Sequence, residues 1–108
     1  MINISEFKRL DLRVGEIVAA EPITGSQRLL KVEVDLGQER RTLVAGVAHQ
    51  FAPPQLLGMK VVIVANLEPA TIRGVTSQGM MLGANCHSGQ QIALVTVSND
   101  VPNGTPVE

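Results

Sequence analysis

The sequence predicts an all-β fold: a five-stranded barrel with one short helix between its third and fourth strands and extra elements at both termini. Three observations predict it. Leu30-Lys31-Val32-Glu33-Val34-Asp35 alternates apolar and charged residues, the period of a half-buried strand. Val61-Val62-Ile63-Val64 is a continuous aliphatic run, which suits a strand buried on both faces or closing a barrel. Between the strand-like runs, Phe51-Ala52-Pro53-Pro54-Gln55-Leu56-Leu57-Gly58 holds one short helix, with proline at its first turn and glycine at its end.

The remaining elements follow in order. Residues 5–10 form at most a helical turn, with Asn3 or Ser5 as its cap. Leu12, Val14, Ile17 and Val18 begin strand one, with Gly15 as a bulge or bend, and Pro22 ends it as a ladder element. Thr24-Gly25-Ser26-Gln27 leads to strand two at 30–35, and the turn Gly37-Gln38 leads to strand three at 41–45, so the two form a hairpin. Strand four covers 60–65 and strand five 80–84, separated by a long polar turn at 66–79. His87-Ser88-Gly89 is a turn, 92–95 a further strand, and 101–105 a turn before a short tail. Three strands, a helix and two strands is the order of an OB-fold, although the pattern also fits other small barrels. In an OB-fold the ligand lies across strands two and three, flanked here by loops 22–28 and 66–79.

With 108 residues, the chain is expected to be a single domain over 1–108. Its core must be aliphatic, because it holds two Phe and neither Tyr nor Trp. A net charge of −1 means that contact with a polyanion must come from local cations, few in number. General single-strand binders of this architecture stack bases on aromatic platforms, which this chain lacks, so a folded RNA read by shape and backbone suits it better. One cysteine, Cys86, forms no internal disulfide, and the start of the chain lacks the basic and apolar runs of a signal peptide; a cytoplasmic protein is expected. No apolar segment approaches the roughly 20 residues that span a bilayer, so no membrane partner is expected.

Catalysis has no candidate group. His49 and His87 are far apart in sequence and in no ligand motif, Cys86 and His87 would point to opposite faces of a strand, and no phosphate loop is present. No enzyme activity, metal or cofactor is therefore expected. Most cations have acidic neighbours, and Arg40-Arg41 reads as a solvated hairpin tip. Arg73 differs: it is the only lysine or arginine after Lys60 and lies in the loop before strand five, where it could hold loop carbonyls or a phosphate. Ser77-Gln78-Gly79-Met80 follows it. Ser77 and Gln78 can hydrogen-bond a base edge or phosphate, Gly79 lets backbone approach closely, and Met80 offers a polarisable apolar contact or packs in the core. Arg28, in the loop after strand one, is the cation facing them.

Asn66-Leu67-Glu68-Pro69, then Arg73-Gly74, then Ser77-Gln78-Gly79-Met80 resembles the tRNA-binding domain that occurs alone in small bacterial proteins and at the C-terminus of many methionyl-tRNA synthetases. Residues 7–15, the hairpin 31–46 and the segment 61–82 carry the resemblance over nearly the whole chain. It favours the OB-fold over other barrels. It implies a non-catalytic, structure-specific tRNA-binding module, a homodimer with one composite RNA surface, and an aminoacyl-tRNA synthetase as a partner. It associates a serine and a methionine spaced like Ser77 and Met80 with tRNA contact. One departure stands out: where relatives often have His-Pro-Asn-Ala-Asp-Lys-Leu, this chain has Ile23-Thr24-Gly25-Ser26-Gln27-Arg28-Leu29, keeping only the basic position. Related small dimeric OB proteins resemble export chaperones for unfolded polypeptides, the alternative reading; a purely dimerising domain for a synthetase is a third.

Overall fold

A computed structural model describes residues 1–87 and 91–108. It confirms the all-β barrel. The strands β1 (Leu12–Pro22), β2 (Leu30–Asp35), β3 (Arg40–Ala45), β4 (Lys60–Val64) and β7 (Met80–Met81) lie in the order β3-β2-β1-β4-β7, all antiparallel. The long first strand makes the curvature. β4 pairs along one of its edges from Leu12 to Glu16, and β2 pairs along the other from Glu16 to Pro22. The register shifts between Ile17 and Ala19, so the bulge falls there and not at Gly15, which stays in register opposite Val61.

Helix α1 (Ile4–Phe7) is capped by Asn3, whose side chain accepts from Glu6 N–H while Glu6 accepts from Asn3 N–H. Helix α2 (Pro53–Leu56) plugs one end of the barrel with Leu56, which is fully buried. The core around it is aliphatic, as the composition requires: Ile17, Leu30, Val32, Val34, Leu43, Val61 and Ile63.

Three expectations are corrected. Residues 66–79 are not one long turn but contain the hairpin β5 (Ala70–Ile72) and β6 (Val75–Ser77). Strand five does not run through 80–84; it breaks at Leu82, and β8 (Gly83–Cys86) pairs with β9 (Gln91–Leu94) as a separate hairpin. The C-terminal tail is a strand, β10 (Pro106–Val107), on the edge of β1 that β2 leaves open at Leu12 and Arg13. Residues 88 and 89 of the turn expected at 87–89 lie outside the described residues. Among the described residues, no helix is long and apolar enough to cross a membrane.

A polar network ties the N-terminus to the base of the 66–79 segment. Asn66 accepts from Asp11 N–H at 2.8 Å and donates to Arg9 C=O at 2.7 Å. Arg13 makes paired bonds to Asp11, 3.0 and 2.7 Å long. These bonds hold the Asp11 carboxyl below its ordinary value of 3.8 and lift Arg13 above its own. A lowered folded-state value contributes stability above the unfolded value, lost as pH falls through the folded one. Asp11→Asn should therefore melt below the parent at pH 7, by the small amount expected of a half-exposed pair, and the two melting curves should converge in acid.

Candidate functional site

The free edge of β3 decides what the 77–80 segment can do. Its N–H groups would be orphaned, and side chains satisfy them. Ser77 Oγ accepts from Val44 N–H at 3.0 Å and donates to Gly79 C=O at 3.1 Å. Gln78 Oε1 accepts from Thr42 N–H at 3.3 Å, and Gln78 N–H donates to Thr42 C=O at 2.8 Å. Arg41, not a solvated tip residue, sends its guanidinium to Ala65 C=O and pairs with Glu39 at 2.8 Å. Ser77 is only 6 % exposed. It closes the barrel below the surface, whereas its expected place was on the surface. Ser77→Ala should lower stability by about 1–2 kcal/mol, because it leaves Val44 N–H and Gly79 C=O without that partner; thermal melting reads the loss.

Above this base stands the β5–β6 hairpin, turned by Arg73 and Gly74. Both have positive φ, 52° and 81°, as a two-residue type I′ turn requires. Arginine there is unusual: among the described non-glycine residues, Arg73 alone has positive φ. Its guanidinium reaches the loop after β1, where a Cβ built on Gly25 would lie 3.7 Å from Nη1. The two loops that flank an OB ligand face therefore meet at Arg73. Beneath the hairpin runs a shallow groove lined by Lys31, Thr42, Gly74, Val75, Thr76 and Gln78.

The five residues singled out in the sequence are thus distributed. Arg73 and Gln78 flank the hairpin groove. Met80 is exposed on β7 and walls an apolar hollow with Val44 and Gly46. Arg28 lines a third hollow with His49, Asn85, His87 and Ile92. Ser77 lies beneath. Sequence reasoning missed Lys31 and Thr42, which read as ordinary strand residues, and Thr76, which read as part of the long polar turn. It also set aside both histidines, which line one hollow because the β8–β9 hairpin brings His87 to the side of Arg28 and His49.

Ion pairing leaves the cations of both loops open, along with three others. Lys60 pairs with Asp100 and Lys31 weakly with Glu21, as Arg13 and Arg41 pair with their own carboxylates. Among the described residues, Lys8, Arg9, Arg28, Arg40 and Arg73 have no ion pair within 4.0 Å. A protein with net charge −1 thus keeps Arg28 and Arg73, in the loop after β1 and the β5–β6 turn, available to an anion.

Comparison with known proteins supplies the family. The sequence matches the tRNA binding domain family over residues 12–106. It is 46 % identical over 107 residues to the methionine–tRNA ligase of Deinococcus radiodurans and 43 % identical to that of Halalkalibacterium halodurans. In both cases 99 % of the chain is covered, but the chain spans only 16 % of the ligase's length. Among solved structures, a MetRS-related protein from Pyrococcus horikoshii superposes with a TM-score of 0.93 at 37 % identity, covering 100 % of this chain and 98 % of that one. The chaperone CsaA from Bacillus anthracis superposes with a TM-score of 0.90 at 28 % identity, covering 100 % and 99 %. Strand order, helix position, the loops meeting at Arg73 and this family match agree: the chain belongs to the tRNA-binding domain family.

Proposed function

We propose that this chain binds folded tRNA without catalysing a reaction, using the face between the loop after β1 and the β5–β6 hairpin. The observation that carries the reading is Arg73, held in a left-handed turn with its guanidinium against the Gly25 loop and, among the described residues, no carboxylate partner. Family membership supplies the class of ligand. Arg73 and Arg28 offer charge-assisted contacts to phosphates, Gln78 and the groove threonines neutral hydrogen bonds, and Met80 an apolar contact. Ser77 supports this surface from below. With so few cations, binding weakens with salt on a shallow slope, on the order of a few phosphates per subunit. Filter binding with folded tRNA, unstructured RNA and unfolded peptide tests the reading: folded tRNA alone should be retained. Retention of the peptide in its place would establish the second reading, a polypeptide chaperone, which the likeness to CsaA favours.

The module acts as a homodimer in the cytoplasm, in company with an aminoacyl-tRNA synthetase. Support for the dimer is an exposed apolar surface at the N-terminus. Ile2, Leu10 and Leu67 share one depression, and Met1 and Ile4 are exposed nearby. A two-fold contact there would bury it. Sedimentation equilibrium should give twice the chain mass, and Leu10→Asp should return it to one; a parent monomer at micromolar concentration would rule the dimer out.

A further inference from the structure

Two hollows outside the hairpin groove share a wall. One is apolar, bounded by Val44, Gly46, Met80 and Leu94. The other is polar and bears Arg28, His49, Asn85 and His87. Ile92 lines both. We propose that they are the two halves of one nucleotide subsite: the apolar half takes a base unstacked from RNA, and the polar half takes the phosphate attached to it. The inference rests on the RNA-binding reading and deepens it: Met80 and Arg28, already assigned there to RNA, would hold two parts of one nucleotide.

The chemistry of the halves matches the parts of a nucleotide. A base needs flat apolar contact, which the exposed Met80 thioether and the branched Ile92 supply. A phosphate needs a cation and hydrogen-bond donors, which Arg28, Asn85 and His87 supply. No carboxylate lines the polar half among the described residues, whereas the hollow beside Ala19 on β1 carries Glu21 and Glu33.

The walls are also fixed in place. Ala48 N–H donates to Arg28 C=O at 2.9 Å, and Ser26 Oγ accepts from Arg28 N–H at 3.2 Å and Leu29 N–H at 3.1 Å. Asn85 stands opposite Ile92 in the β8–β9 ladder. Gln50 grips Ile92 from the other side: its Nε2 donates to Ile92 C=O at 2.7 Å, and its Oε1 accepts from Ile92 N–H at 2.8 Å. This clamp also bears on the occupant. An extended peptide would join a strand through free backbone groups, and those of Ile92 are already used. A nucleotide needs only side chains from this wall.

Amide shifts of the isotope-labelled protein, titrated with AMP, adenosine and inorganic phosphate, test the proposal. AMP should move the amides of Met80 and Ile92 together with those of Arg28 and Asn85. Adenosine should move the first pair and phosphate the second, each saturating at higher concentration than AMP. In filter binding, Met80→Ala and Asn85→Ala should each weaken tRNA roughly three- to tenfold, the scale of one net contact, with melting unchanged. The proposal falls if AMP leaves these amides in place, if phosphate moves them as readily as AMP, if an unfolded peptide moves Ile92 where AMP does not, or if both variants bind tRNA like the parent. A parent that retains no tRNA while AMP still shifts both pairs would sink the Arg73 face and leave the subsite standing.

Discussion

Gly79→Ala should unfold well below the parent, losing at least about 2 kcal/mol, the sum of a backbone penalty and a steric one. Gly79 has φ 145°, a region that L side chains rarely adopt. A Cβ there would lie 2.7 Å from Val64 C=O and 3.2 Å from Leu43 Cδ2. The first neighbour is backbone of the buried strand β4, and the second belongs to a fully buried side chain, so neither can yield cheaply. The residue also accepts the Ser77 hydroxyl through its carbonyl, so displacing it loosens the bond that closes β3. Gly74→Ala is the control. It too has positive φ, but nothing lies within 4 Å of its Cβ position, so it should cost only the backbone penalty, about 1 kcal/mol. Chemical denaturation of the three proteins reads both values. Equal losses at the two glycines would mean that the approach to Val64 relaxes freely and that the barrel is not closed tightly at this corner.

The same corner shows what the sequence could and could not disclose. The barrel strands were legible because burial writes itself into period: Leu30, Val32 and Val34 are buried, and Lys31, Glu33 and Asp35 are not. The β5–β6 hairpin was illegible because its strands are three residues long, mostly exposed, and turned by Arg-Gly where the usual signal is Asn-Gly. Strand β10 is two residues long and pairs only because β1 offers a vacant edge, a fact about distant chain. Ser77 illustrates the same limit among site residues. A serine beside a glycine in a ligand loop reads as a surface donor, and only the register of β3 shows that an orphaned N–H on Val44 takes its hydroxyl. Arg73 was legible as an isolated cation in the loop before strand five; that it occupies a strained turn was not.

That strain gives Arg73 its most discriminating test. A non-glycine residue in left-handed backbone costs about 1 kcal/mol or more, so the turn would be more stable with glycine. Arg73→Gly should raise stability by about 0.5–1 kcal/mol, once glycine's own entropic cost is allowed for. Arg73→Ala keeps the strain and should melt with the parent. Both should weaken tRNA binding by the same amount, about 1.5–3 kcal/mol, the range for a hydrogen bond to a charged group at a partly desolvated site. Arg73→Lys should fall between, because an ammonium keeps the charge and loses the planar fork. Each loss should shrink as salt is raised, since part of the contact is counterion release. A variant that is more stable and binds worse cannot be explained by damage to the fold, so the pair separates the two roles of the side chain. If Arg73→Gly melts earlier than the parent, the guanidinium is holding the Gly25 loop, and its proximity there is architectural. If Arg73→Gly is stabilised yet binds tRNA like the parent, the hairpin face is not the RNA surface, and the search moves to the unpaired cations Lys8 and Arg9 near the N-terminus.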